Sequence, residues 1–435
     1  MMTHISRDRR TIVFTRYPQP GRTKTRLIPA LGDRGAAWLQ RRMTERTIET
    51  VRQWIASDER ASAEVRFVGA AGWQMRQWLG RNLSYCDQGD GDLGDRLVRA
   101  FAAAFAGGAQ QVTAVGIDCP GLSASLLQQA FSALAEADVV LGPANDGGYY
   151  LVALRQPEPA LFAGIDWGTE RVFQQTIDLA RSLDRSVALL PALDDIDRAV
   201  DLPVWDRATG GFQKRISIVI PTLNEAKTLP ETLTRVLQGR NVEAVVADGG
   251  SQDDTVSIAK SFGATTVEST PGRASQMNAG ANVATGEILL FLHADTQLPV
   301  GFDVLVRQAL SESQIVAGAF ELQIGASLPG LPTVERVANW RSRVLQFPYG
   351  DQGIFLTRAC FCHLGGFPEL PIMEDFELVR QLQRRGKLSI VPVPVTTSGR
   401  RWQKLGVWRT TLLNQVIVLA YLLNVPPDRL VRWYR

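Results

Sequence analysis

The chain reads as α/β, with two Rossmann-like domains in tandem, each a mostly parallel sheet flanked by helices. Three observations predict this. Ile216 to Ile220, Val242 to Val246 and Ile288 to Leu292 are short aliphatic and β-branched runs, as expected of strands buried on both faces of a parallel sheet. Helical segments separate these runs at short spacing. Carboxylates follow each run: Glu225 after Pro221-Thr222-Leu223-Asn224, Asp248 after Ala247, and Asp295 after His293-Ala294. Open α/β sheets take ligands at such strand ends, and carboxylates gathered there need a cation or a donor-rich ligand between them.

A length of 435 residues exceeds one ordinary core and predicts two domains of roughly 200 residues each. The break falls in Ala208–Arg215, after an acidic, irregular stretch holding Asp194, Asp195, Asp197 and Asp201, which gives domains 1–212 and 213–435. The segment Ala208–Arg215 suits a linker or tight domain junction. Both halves open on a strand, Thr11 to Phe14 and Ile216 to Ile220, and both later place an Asp at or just past a strand end, Asp118 and Asp295.

Hydrophobic content of 45% and charged content of 21% are those of a globular protein. A net charge of +3 without a dense Lys/Arg block argues against nucleic acid as a partner. Met1 to Arg10 is polar and basic, with no secretory pattern. Cys86, Cys119, Cys360 and Cys362 lack disulfide or zinc-ribbon spacing, so free thiols and a cytoplasmic location are expected. Cys360-Phe361-Cys362-His363 reads as packing residues rather than a metal site.

Between the strands, Thr228-Leu229-Pro230-Glu231 has the form of a capping box, with Leu233, Val236 and Leu237 as the apolar face and Gly239 at the end. Asp254 is expected to cap the next helix. Near the C-terminus Leu412, Leu413, Val416, Leu419, Ala420 and Leu423 form a helical stripe, too short and too interrupted by Asn414 and Gln415 to span a bilayer. Trp408, Arg409, Arg429, Arg432 and Trp433 flank it as interfacial anchors would. The favoured reading is a helix docked on the core or on a second subunit of a homo-oligomer. The other is peripheral contact with the inner face of a membrane.

From Ile216 to about Trp408 the ordered motifs resemble the family 2 glycosyltransferases of the GT-A fold, most nearly the branch associated with arsenosugar biosynthesis. The resemblance implies a nucleoside diphosphate-sugar donor, with Pro221, Glu225 and Asp248 at the nucleoside and Asp248 accepting from the base. It implies Asp295 as the ligand of Mg²⁺ or Mn²⁺, oxygen ligation favouring these ions. His293 replaces the first carboxylate of the usual Asp-x-Asp. Asp375, in Met373-Glu374-Asp375-Phe376-Glu377, matches the family's base, with Glu374 beside it at the substrate. Arg401 and Trp402 match a basic, aromatic product-site loop. The chemistry is consistent with these assignments. The departing sugar leaves negative charge on phosphate, which a divalent cation stabilises and which Arg273 can meet with two parallel donors. The acceptor hydroxyl, on a small molecule or a lipid, loses its proton to a carboxylate on the opposite face. One base opposite one leaving group means direct displacement and inversion.

In the first half, the loop Pro18 to Arg26 offers Gly21, Lys24 and Arg26 to a diphosphate or triphosphate, without Walker spacing. Asp118 and Asp146 each follow an apolar run and together suit a divalent ion, while Gly147-Gly148 lets the backbone approach a ligand. With Gln88-Gly89, Leu93-Gly94 and Trp167-Gly168-Thr169, these motifs resemble the nucleotidyltransferase-like GT-A proteins that accompany arsenosugar-type glycosyltransferases. More distantly they resemble guanylyltransferases that activate phosphorylated metabolites. The resemblance implies Asp118 as metal ligand, and Gly21, Lys24, Arg26 and Asp146 as nucleotide contacts. This half would then make the donor that the second consumes, the alternative being a nucleotide-binding scaffold without turnover.

Overall fold

The computed structural model describes residues 7–210, 214–312 and 314–434. The chain divides into two compact units, Met1–Thr209 and Gly210–Arg435. The expected boundary between residues 212 and 213, and the start of the polar N-terminal segment at residues 1–6, lie outside the described residues.

The first unit is built on strands β1 (Arg9–Arg16), β2 (Ala61–Val68), β3 (Ser84–Asp87), β4 (Gln111–Val115), β5 (Val139–Pro143), β6 (Tyr149–Leu154) and β7 (Val187–Leu189). They form one sheet in the order β3-β2-β1-β4-β6-β5-β7. Only β6 runs antiparallel to its neighbours, β4 and β5. Ile12, Val112, Leu141 and Val152 pack against Leu97, Phe101, Phe162 and Ile177 in one core.

The second unit holds β8 (Ile216–Thr222), β9 (Val242–Asp248), β10 (Thr265–Glu268), β11 (Ile288–Phe291), β12 (Thr296–Gln297), β13 (Ile315–Gly325), β14 (Ile354–Thr357) and β15 (Lys387–Ser398). Their order is β10-β9-β8-β11-β14-β13-β15-β12. The first four are mutually parallel, β14 is antiparallel to both its neighbours, and β13 and β15 are parallel. The apolar runs, broken by Ser217 in β8 and Glu243 in β9, are largely buried on both faces: Ile216, Ile218, Val219 and Ile220 are all fully buried. Alternate residues point to opposite faces. Val219, Val245 and Leu289 meet helices Arg273–Val283 and Glu374–Gln383 in one core.

Two local expectations are corrected. Thr228 makes no capping bond to helix Leu229–Val236; its hydroxyl donates to Glu225 Oε2 at 2.7 Å instead. Helix Thr255–Ser261 is likewise not capped by Asp254, because Asp253 Oδ1 accepts from the Thr255 amide at 3.1 Å. In both cases a nearby side chain in the loop competes for the capping partner.

The C-terminal helix docks on the core, as favoured, but not through the whole of its apolar stripe. Helix Val407–Leu422 buries Val407, Thr410, Ile417 and Ala420, and Ile417 and Ala420 pack with Met373, Phe376 and Leu430. Of the apolar stripe, Leu412, Val416, Leu419 and Leu423 are exposed. The helix docks through its other side, and most of the stripe faces outward.

Candidate functional site

In the second unit the strand ends deliver the predicted carboxylates. Asp248 is the last residue of β9, in register with Thr222 at the end of β8. Its Oδ1 accepts from Thr222 Oγ1 at 3.2 Å and Ser251 Oγ at 2.5 Å. Its Oδ2 accepts from the amides of Gly250 at 2.9 Å and Ser251 at 2.8 Å. Burial pushes its pKa up, but these bonds outweigh burial and hold the carboxyl below its ordinary value. Four donors fill the roughly four lone-pair sites of a carboxylate, so Asp248 fixes its own loop. Glu225 stands across from it, its amide donating to Thr255 Oγ1 at 2.9 Å.

A cavity of about 360 Å³ opens beside these strand ends, lined by Arg273, His293, Asp295, Glu374, Asp375, Arg400, Arg401 and Trp402. Pro221, Glu225 and Asp248 do not line it; Glu225 joins it through Arg400, whose Nη2 lies 3.2 Å from Glu225 Oε2 and 2.9 Å from Asp295 Oδ2. Arg273 opens helix Arg273–Val283 just after Gly272. His293 is neutral near pH 7, because burial, then the Arg273 charge, lower its pKa to about 4.

Glu374 and Asp375 open helix Glu374–Gln383. Asp375 Oδ2 accepts from the Gly350 amide at 2.7 Å and Oδ1 from the Phe376 amide at 2.8 Å. A Cβ at position 350 would lie 2.9 Å from Asp375 Oδ2, so a larger residue there would displace that carboxylate. Glu374 is buried. Asp351, in the next turn, also lines the cavity, and burial raises its pKa to about 6. The Asp351 Oδ1, Trp402 Nε1 and Asn414 Oδ1 atoms are sealed from solvent without a hydrogen-bond partner. All three residues line this cavity.

The first unit carries a wider cleft of about 1240 Å³, lined by Lys24, Arg26, Asp118, Asp146, Asp195 and Asp197 among others. Lys24 Nζ lies 3.0 Å from Asp118 Oδ1, and Arg26 pairs with Asp197. The cations expected to meet phosphate are thus paired with carboxylates. Gly21 does not line the cleft; its φ of 75° turns the loop. Asp146 Oδ1 accepts from the Gly148 amide at 2.9 Å, and a Cβ on Gly147 would run into the Glu170 carbonyl. Burial, then the Asp146 charge, raise Asp195 to about 6. The acidic stretch holding Asp194, Asp195, Asp197 and Asp201, which precedes the expected junction, forms a wall of this cleft. Among the described residues no group of three or more His, Cys, Asp or Glu is arranged to hold a metal by itself.

Comparison with known proteins separates the two units. Residues 217–357 match the family described as Glycosyl transferase family 2. Over that span the second unit is similar to the family 2 glycosyltransferases. Residues 50–169 match a family described as "Uncharacterized protein conserved in bacteria (DUF2064)". The chain is 33% identical over 131 residues to an uncharacterized glycosyltransferase of Mycobacterium tuberculosis, a match covering 29% of this chain and 59% of that protein. It is 41% identical over 91 residues to a PGL/p-HBAD biosynthesis glycosyltransferase of Mycobacterium bovis BCG, covering 19% of this chain and 36% of that one. The chain thus spans about three-fifths of the first relative's length and about a third of the second's. Among solved structures, a candidate nucleotide-diphospho-sugar transferase of Desulfovibrio desulfuricans G20 is 32% identical. That match covers 47% of this chain and 88% of the other, with a TM-score of 0.44.

Around the glycosyltransferase domain's cavity, sequence reasoning gave weight to Arg401 and Trp402 and less to Arg400, which makes the link between Glu225 and Asp295. It also missed Asp351 and Asn414. Asp351, in the turn Gly350–Gln352, carried no local signal of its place at the cavity. Asn414 carried no signal beyond interrupting an apolar helix.

Proposed function

We propose that the glycosyltransferase domain moves a sugar from a nucleoside diphosphate-sugar to an acceptor hydroxyl with inversion at the anomeric carbon. The observation that carries this reading is one cavity lined by Arg273, Asp295, Glu374 and Asp375 together, so that phosphate-side and acceptor-side groups share a space. Asp375, held by two backbone amides, takes the acceptor proton. The acceptor oxygen bonds to the anomeric carbon as that carbon's bond to the phosphate oxygen breaks, and the nucleoside diphosphate leaves. Arg273 meets the charge released on the phosphates. Asp295 would hold Mg²⁺ or Mn²⁺, which supplies further neutralisation of the diphosphate when bound. Its hard oxygen fits such an ion, with the diphosphate and water completing the shell. Arg400 then gives up Asp295 and turns to the phosphates.

On its ordered motifs we place this domain in the arsenosugar-associated branch and, on four free thiols, in the cytoplasm. We further read the first unit as a nucleotidyltransferase that makes the donor. Asp118 and Asp146 would hold the metal, and Lys24 and Arg26 the phosphates.

The test of the transfer reading is calorimetry of the full chain against a panel of nucleoside diphosphate-sugars, with Mn²⁺ and with chelator. One donor should bind in a metal-dependent way, and Asp295→Ala should lose the metal response. Asp375→Asn should keep donor affinity while transfer falls ~10²–10⁴-fold, the usual loss on removing a base. No donor binding, or full transfer by Asp375→Asn, would sink the assignment.

A further inference from the structure

We propose that helices Leu331–Leu345, Val407–Leu422 and Pro427–Tyr434 form a docking face for an anionic lipid bilayer. Along and just past Val407–Leu422, the residues Trp408, Leu412, Val416, Leu419 and Leu423 recur every three or four positions and are 42–70% exposed. They form one outward stripe. On Leu331–Leu345, Val337, Trp340 and Val344 make a second exposed row. The two helices meet at their starts, where Leu331, Val334 and Ala338 pack with Val407 and Trp402. Gly330 also lies against Trp408, where a Cβ would come within 3.2 Å of Cζ2. Monomeric soluble proteins rarely expose contiguous apolar area on this scale without a partner for it.

Charge selects the partner. Residues 403–434 contain four Arg or Lys and one acid, Asp428. Lys404, Arg409, Arg429 and Arg432 are exposed. A two-fold interface with a second copy would bring this patch against itself, opposing like charges. An anionic leaflet attracts it, and Trp408 and Trp433 suit the headgroup region. Among the described residues no helix is long and apolar enough to cross a membrane, so the helices lie in the interface plane. The inner face of Val407–Leu422 supplies Asn414, Ile417 and Val418 to the cavity. Docking therefore sets the cavity about one helix diameter, ~10–12 Å, from the headgroups.

The inference is independent of the transfer reading, because donor binding is measured without lipid and vesicle binding without donor. The full chain is sedimented with vesicles of phosphatidylcholine alone and of phosphatidylcholine with phosphatidylglycerol. Binding at least about tenfold tighter to the anionic vesicles, weakened by salt, is expected. Trp408→Ser with Leu412→Ser should lower it ~tenfold or more with circular dichroism unchanged. Arg409→Glu with Arg432→Glu should remove the preference for anionic lipid. Equal binding to neutral vesicles, no binding to either, or insensitivity to these substitutions overturns the proposal. So does a concentration-dependent dimer abolished by Leu412→Ser, which would give the face to a second copy.

Discussion

Glu374 is 5% exposed and begins the helix that carries Asp375. Burial, then the Asp375 charge, push its carboxyl from 4.5 up to about 7, against the pull of Arg273. The folded chain therefore holds this proton more tightly than the unfolded chain. The stability this contributes is fully present below about pH 4.5 and is lost as pH rises through about 7. Glu374→Gln should flatten that loss, on the order of 1–3 kcal/mol between pH 5 and 8, in urea denaturation at the two pH values. An unchanged slope would place its origin elsewhere. At this scale Asp295 was marked by an acid just past a strand, whereas Asp375 stood out only through the resemblance of its motif. Asp351 and Asn414 come from a turn and a helix face brought to the cavity by tertiary packing, and local pattern carries no trace of that.

Helix Arg273–Val283 lies on β8 and β9 through Gly280, where a Cβ would run into Val219 Cγ1. Alanine is the better helix former by ~1 kcal/mol, yet overpacking a closed contact costs ~1–3 kcal/mol. Gly280→Ala should therefore destabilise the domain and displace Arg273, weakening donor binding. Val219→Ala should cost less in that background than alone, a favourable coupling readable in a double-mutant cycle. Additive costs would show that the contact does not decide the packing. The strands themselves were legible because a largely apolar run has few other uses. The helix caps were not, because several short polar side chains in one loop compete for the same amide. Nor was the outward turn of Val407–Leu422, since both sides of that helix are apolar and composition cannot say which one meets the core.

Across the whole chain, two α/β units with mixed, mostly parallel sheets follow from the repeated strand-then-acid pattern, and the antiparallel β6 and β14 do not, because strand direction is set by connections rather than composition. The fused first unit gives the chain a second task to test. Full-length protein offered nucleoside triphosphates with sugar 1-phosphates should release pyrophosphate. Asp118→Ala should abolish that release while leaving transfer from a supplied donor intact. Silence in every combination would leave the first unit as a nucleotide-binding scaffold. In the second unit, Arg400 pairs with both Glu225 and Asp295, so the resting pocket carries part of its own counterion. A cation-loaded diphosphate entering there exchanges one ionic partner for another instead of filling an open field of like charge. Few mobile ions should be displaced by that exchange, so donor affinity read by calorimetry across a salt series should change only weakly.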